Sequence, residues 1–229
     1  MPRGLFITGT GTGVGKTYVA ALLARQLVAA GKRVGVYKPA ASDCTLHDGR
    51  LVSPDAVALW EAAGRPGMLE QVCPQVFAAP LAPHLAARAE GRRVDAKLLR
   101  DGLNYWRESS EIVLVEGAGG LMSPLGDDDY NADLAAEFGY PLVVVSANVL
   151  GTINATLQTL ITASVYGDGH AIAGVVLNSP EAAGDASADS NADELARRCV
   201  PPLLAMVEYG GAFDRDVDWW NLCKSGFPA

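Results

Sequence analysis

Residues 9–17 read GTGTGVGKT, and no other stretch limits the fold of this chain as tightly. Four glycines alternate with small residues and run directly into a lysine and a threonine. On the amino side stands a short apolar run, GLFIT, which reads as a buried strand. On the carboxyl side, KTYVAALLARQLVAAG carries apolar residues around most of a helix and stops at Gly31. RVGVYKP follows as a second strand, closed by Pro39. Strand, glycine loop, helix and strand make one βαβ unit, whose strands pair in parallel. A glycine loop that opens a helix directs backbone N–H groups and the positive end of the helix dipole at one spot, an anion site. The glycines let the backbone wrap close to phosphates. Lys16 then reaches the β- and γ-phosphates of a nucleotide, and the Thr17 hydroxyl ligates Mg²⁺. Five residues, Thr10 to Val14, separate Gly9 from Gly15 where the common pattern has four, so this loop is a longer variant.

The same alternation returns further along. SPDAVALWEAAG reads as a helix with Ser53 as its cap and Pro54 at its first position. The stretch VCPQVFAAPLAPHLAARAEGRRV, rich in proline and alanine, reads as a loop and a short helix without clear boundaries, and DAKLLRDGLNYWRES as an amphipathic helix. IVLVEGAGG is a strand and glycine turn, NADLAAEFG a helix, PLVVVSA a strand, TINATLQTLITASVYG a helix and AIAGVVLN a strand. EAAGDASADSN is expected to be a mobile surface loop, ADELARRC a helical turn or two, and PPLLAMV a last strand. The strands are nearly continuous apolar runs, which suits a mainly parallel sheet covered by helices on both faces. The 229 residues show no repeat and no linker, so the whole chain is expected to form a single α/β domain.

Composition narrows the partners. The formal net charge is −8, which disfavours a broad nucleic-acid or anionic-membrane surface. No stretch approaches the roughly 18 apolar residues that span a bilayer, and the first residues are too short an apolar run for a signal peptide. Cys44, Cys73, Cys199 and Cys223 show neither paired spacing nor a nearby histidine ligand pattern and read as free thiols of a reducing compartment. A cytoplasmic, soluble protein is expected.

In open α/β sheets the site lies at the carboxyl ends of the strands. Lys38 ends the second strand, Glu116 ends IVLVE, and Asp55 lies just inside a helix start. A strand-terminal acid beside a nucleotide suits Mg²⁺, which takes oxygen ligands and keeps several waters. Lys38 adds positive charge beside a developing anion. His84, in APHLAA, reads as a packing or capping residue; GDDDY at 126–130 reads as a solvated turn; DRDVDWW at 214–220 reads as a tail packing its tryptophans on the body.

TGTGTGVGKT, YKPAAS, SPDAVAL, FAAPLAPHLAARAEGRRV, VLVEGAGGLMSPL, NADLAAEFGYPLVVVSANVLGTINATLQT and GVVLN occur in the order found in dethiobiotin synthetases. From about Leu5 to Asn178 the chain resembles that family of P-loop proteins. The resemblance implies a homodimer that uses ATP and Mg²⁺ to join CO₂ to the two neighbouring amines of 7,8-diaminononanoate, giving dethiobiotin, ADP and phosphate. An amine takes CO₂ as a carbamate, the carbamate oxygen attacks the γ-phosphorus, and the second amine closes the cyclic urea and expels phosphate. On this resemblance Lys38, Lys16 and Thr12 are catalytic. Gly11, Thr12, Gly13, Val14, Gly15, Lys16, Thr17, Glu116, Asn178 and Val207 bind ATP, with Asn178 reading the adenine. Thr17, Asp55 and Glu116 gather the metal. Thr12 and Ser42 hydrogen-bond near the reacting amines and carbamate, and Lys38 faces the carbamate. Gly151, Thr152 and Asn154 of the partner subunit take the distal carboxylate, so the site spans the dimer interface.

Two positions depart from the family pattern. Gly13 stands where some members carry an acid and is assigned backbone contact alone. Glu208 stands where the family often has a proline beside the adenine, so Val207 to Tyr209 are assigned backbone contacts. The competing readings are a nucleotide-switched dimeric ATPase of the partition or targeting type and a related synthetase acting on a different small acid. The switch ATPases usually carry a second lysine five positions before the loop lysine, where this chain has Gly11.

Overall fold

The computed structural model describes residues 3–182 and 186–223. Its centre is a six-stranded sheet in the order β2-β5-β1-β6-β7-β8, every neighbouring pair parallel. The strands are β1 (Arg3–Gly9), β2 (Val34–Tyr37), β5 (Ile112–Glu116), β6 (Leu142–Ala147), β7 (Ile172–Asn178) and β8 (Leu203–Val207). A separate antiparallel hairpin pairs β3 (Thr45–His47) with β4 (Arg50–Val52). β1, β2, β5, β6 and β7 are almost wholly buried, as their continuous apolar sequences require.

Helices α1 (Lys16–Ala29), α5 (Ala96–Ser109), α6 (Asn131–Phe138), α7 (Thr152–Val165) and α8 (Ala188–Arg198) flank the sheet. Shorter helices are α2 (Pro54–Ala62), α3 (Leu69–Val72), α4 (Pro83–Ala89) and α9 (Trp219–Leu222); α2 and α3 pack on β2, and α9 on α1. Helix α5 shows why such segments dock. Leu99, Leu103 and Trp106 fall on one face and are buried, and each such side chain contributes about 1.5–3 kcal/mol. Ser53 caps α2 by accepting from the Ala56 N–H, with Pro54 at the first position, as its sequence indicates.

The chain leaves β1 toward β2 on one side and later lays β6, β7 and β8 on the other. The carboxyl end of β1 therefore faces the crevice where the two directions part, the usual ligand position of such sheets. The tail packs as its sequence indicates: Trp219 is buried against Phe213, and Trp220 lies under Arg3 and Lys32.

Three segments differ from the sequence reading. The middle region contains the β3–β4 hairpin and α3. The polar segment 181–191 already enters α8 at Ala188, and its residues 183–185 lie outside the described residues. The acidic turn 126–130 is ion-paired as well as solvated. Asp127 meets Arg88, and Asp129 meets Arg100, which also holds Glu137. Among the described residues, no helix is long and apolar enough to cross a membrane.

Candidate active site

The phosphate loop runs from the end of β1 to Lys16, the first residue of α1. Gly15 adopts φ 91°, which favours glycine, and a Cβ there would overlap the Asn178 side chain. Asn178 ends β7 and is buried. Its Nδ2 donates to Val14 O at 3.0 Å, clamping the loop to the sheet. Lys16 folds back along the loop, with Nζ donating to Gly11 O at 2.8 Å. Burial pulls the Lys16 pKa down to about 8; Glu116 opposes the shift and the Lys38 charge adds to it.

Beside the loop, three strand and helix ends converge. Lys38 follows β2, Glu116 closes β5, and Asp55 lies in the first turn of α2. Lys38 Nζ donates to Glu116 Oε1 at 2.5 Å and stands 3.1 Å from Asp55 Oδ2. Thr17 Oγ1 donates to the same Glu116 oxygen at 2.8 Å. Lys38 and Glu116 are buried, with side chains 4% and 1% exposed, whereas half of the Asp55 side chain is open to solvent. Burial alone would lower the Lys38 pKa, but Glu116 and Asp55 outweigh it and hold the ammonium above the ordinary lysine range. Burial likewise works against the Asp55 carboxylate, and the charge and hydrogen bond of Lys38 overcome it, leaving its pKa lowered.

The other oxygen of Glu116, Oε2, is buried without a hydrogen-bond partner among the described residues. A buried unpaired carboxylate oxygen is costly, and a cation beside the phosphates would satisfy it. Two carboxylates and one hydroxyl, completed by phosphate oxygens and water, form a donor set that suits Mg²⁺. Glu116, Asp55 and Thr17 thus fit a metal.

Three cavities adjoin the phosphate loop. One, of about 360 Å³, is lined by Gly13, Gly15, Tyr18, Asn178, Ser179, Pro180, Tyr209 and Gly210. Tyr18 fixes its rim by donating from its hydroxyl to Gly211 O at 2.7 Å. Val207 sits behind that rim, its side chain buried and its carbonyl accepting from the Ser179 N–H. Glu208 is exposed and accepts from Ser179 Oγ at 3.3 Å.

Another, of about 310 Å³, brings Thr12 and Ser42 together with Pro80 to Pro83, Gly119 and Ser123. An adjoining one of about 340 Å³ lies between Gly9–Thr12, Gly120–Ser123 and the α7 residues Ala155, Gln158, Thr159 and Thr162. Gly151, Thr152 and Asn154 stand apart at the start of α7. Gly151 is the left-handed cap, Asn154 is exposed, and the Thr152 hydroxyl is buried 2.7 Å from Ser146 Oγ. His84 is half-buried near the start of α4, its Nδ1 without a partner among the described residues.

Sequence reasoning overlooked Tyr18 and the Gly117–Ser123 segment as walls of these cavities. VEGAGG marked a glycine turn, but no local signal tells which cavity such a turn will line.

A parallel sheet, a glycine loop opening a helix and a Lys–Thr pair at its end define a P-loop nucleotide-binding protein. The AAA domain family model matches residues 3–215. The ATP-dependent dethiobiotin synthetase BioD of Rhodopirellula baltica is 43% identical over 213 residues, covering 88% of this chain and 82% of that protein. The protein of the same name from Anaeromyxobacter dehalogenans strain 2CP-C is 45% identical over 207 residues, 90% of each chain. That of Bacillus subtilis strain 168 is 35% identical, over 90% of this chain and 87% of its own. The chain belongs to the ATP-dependent dethiobiotin synthetase family.

Solved structures agree on the fold. The septum site-determining protein MinD of Pyrococcus horikoshii, complexed with Mg-ADP, superposes with a TM-score of 0.55 at 17% identity, covering 91% of this chain and 82% of that one. A ParA family ATPase of Chlorobium tepidum gives 0.53 at 15% identity, covering 96% and 86%. These likenesses concern architecture alone. The family match does not favour the switch-ATPase reading.

Proposed function

We propose that this chain carboxylates 7,8-diaminononanoate with CO₂ and closes the ring to dethiobiotin, converting ATP to ADP and phosphate, as a step of biotin synthesis. The observation that carries this reading is the position of Lys38. Its buried ammonium is held by Glu116 and Asp55 beside the phosphate loop, with the Thr12 and Ser42 cavity adjoining that loop.

A carbamate and a triphosphate are both anions, and their approach requires positive charge in a site sheltered from water. Lys16 serves the phosphates and Lys38 the carbamate. Thr12 and Ser42 orient the amines and the carbamate through their hydroxyls. Thr17, Asp55 and Glu116 hold Mg²⁺, which supplies charge neutralisation at the phosphates. In the first bond change, a carbamate oxygen bonds to the γ-phosphorus as the bond to ADP breaks. In the second, the other amine bonds to the carbamate carbon as the bond to phosphate breaks, and the leaving phosphate takes the proton that the amine sheds. Both steps depend on positioning and charge, and neither uses a protein nucleophile. The cavity of Tyr18, Asn178 and Tyr209 seats the base, with Gly11 to Gly15 along the phosphates and Val207 supporting the rim.

The same reading makes the enzyme a homodimer. Leu150, Ile161 and Val165 are 81%, 62% and 70% exposed. Ile161 and Val165 lie one turn apart on α7, the helix that Gly151, Thr152 and Asn154 open. An apolar face of this kind is covered in a stable protein, and a partner's α7 brings its amino end to the substrate carboxylate. The partners are small molecules, without nucleic acid or membrane. The cytoplasm is the compartment, in keeping with the thiols of Cys44, Cys73 and Cys223, each of which donates to a backbone carbonyl.

The test is incorporation of labelled bicarbonate into a cyclic urea product, read by mass spectrometry. Label is expected only when diamine, ATP and Mg²⁺ are all present. A labelled product from another acid substrate, or none from the diamine, contradicts the reading.

A further inference from the structure

The Gly117–Ser123 segment follows Glu116 directly and contributes to both cavities beside Thr12. It has no strand or helix of its own to hold it. A backbone lining a cavity still needs its polar groups paired, and in this segment one side chain supplies much of that pairing.

That side chain is Asn131, the first residue of α6 and fully buried. Its Oδ1 accepts from the Ala118 N–H at 3.1 Å, while Nδ2 donates to Ala118 O at 2.7 Å. The amide therefore grips one residue at both polar atoms, much as a neighbouring strand would. Nδ2 also donates to Gly120 O at 2.8 Å and Ser123 O at 3.3 Å. The first backbone N–H groups of α6 continue the contact: Asn131 N donates to Ser123 O and Ala132 N to Leu121 O. Donors that a helix start leaves unpaired are thus spent on the segment. Inside the turn, Gly120 N donates to Ser123 Oγ at 2.8 Å.

We propose that Asn131 is a positioning residue, whose amide holds residues 117–123 in the shape that walls the two cavities beside Thr12 and so sets the seat of the amine-bearing substrate. This rests on the diamine reading above. No other residue type does the same. Aspartate keeps the acceptor for Ala118 N–H but turns a carboxylate oxygen toward three carbonyls. Leucine fills the space and pairs with nothing. The nucleotide side is held separately, by Asn178 on Val14 and Tyr18 on Gly211. Gly120 lies close to Gly9 O and the Gly11 backbone, so loss of the Asn131 amide acts first on the amine-bearing substrate and far less on the nucleotide.

The experiment is steady-state phosphate release by Asn131→Ala, Asn131→Asp and the milder Ser123→Ala, each shown to be folded by its melting transition. Diamine is varied at saturating ATP, then ATP at saturating diamine. KM for the diamine is expected to rise about tenfold in Asn131→Ala, more in Asn131→Asp and about threefold in Ser123→Ala, with KM for ATP within about twofold of the parent. Equal changes in both KM values, or none in a folded variant, overturn the proposal. Hydrogen exchange supplies a readout free of any substrate. Residues 117–123 are expected to exchange at least about tenfold faster in Asn131→Ala while α1 keeps its protection. Unchanged exchange also overturns the proposal. Failure of the unmodified protein to turn over the diamine refutes the functional reading, and exchange then decides the role of Asn131 separately.

Discussion

Replacing Lys38 by methionine tests the electrostatic logic of the cluster before any substrate is added. Glu116 is 1% exposed at its side chain, and Lys38 supplies the ammonium 2.5 Å from its Oε1. Methionine keeps most of the volume and removes the charge. Breaking a buried pair from one side costs about 3–5 kcal/mol, because the remaining charge stays desolvated. The Thr17 hydroxyl and the nearby Lys16 remain, which places the expected loss at the lower end, about 3 kcal/mol. Asp55 adds little, since half of its side chain is in water. For a domain of this size the loss corresponds to a fall in Tm of roughly 6–12 °C. The double variant Lys38→Met/Glu116→Gln removes the stranded charge as well and is expected to melt within about 4 °C of the parent. The pKa of Lys38 is raised on folding, so its contribution is complete below the unfolded lysine value of about 10.4 and is lost only as pH rises through the higher folded value. Titration of Lys38 therefore does not diminish the Tm difference as pH rises to about 9. Scanning calorimetry without nucleotide measures all three proteins. A Lys38→Met variant that melts within about 2 °C of the parent, or a double variant that melts below the single one, refutes the reasoning.

Lys16 gives the opposite sign. Its pKa falls to about 8 on folding, so its burial weakens the ligand-free fold by about 3 kcal/mol at neutral pH, and that loss is recovered as pH rises from about 8 to about 10.4. Phosphates restore the charge, so ATP binding at pH 8 is expected to take up about half a proton, read by calorimetry in buffers of different ionisation enthalpy; no uptake by the parent contradicts this. Gly15→Ala forces a Cβ onto the Asn178 amide at φ 91° and is expected to weaken nucleotide binding at least about tenfold in a fluorescence titration. Ile161→Glu places a charge on the exposed α7 face and is expected to yield monomers by analytical ultracentrifugation, where an unchanged mass contradicts the proposed interface.

The fold was legible where local pattern and burial coincide. The apolar runs IVLVE and LVVVSA are strands because both of their faces are covered, and the glycine loop stands between strand and helix as its neighbours require. The β3–β4 hairpin had a signal of its own: Asp48 and Gly49 form its two-residue turn, both with positive φ. Its strands are three residues long and mostly exposed, so no apolar alternation advertised them. Helix α8 begins inside a polar stretch because Asn191 and Leu195 supply its buried face, and a buried asparagine carries no apolar signature. Lys38, Glu116 and Asp55 were visible as charges at element ends, though only the fold brings them within bonding distance. Asn131 was invisible as a cavity-shaping residue. Its role depends on carbonyls at Ala118, Gly120 and Ser123 that turn toward it only in the folded segment.

Phosphate release from Mg-ATP, measured with and without 7,8-diaminononanoate and in bicarbonate or CO₂-depleted buffer, tests the central claim most directly. The account predicts turnover only when diamine and CO₂ are both present, and its abolition in Lys38→Ala. Slow turnover that ignores both, or that survives in Lys38→Ala, contradicts it.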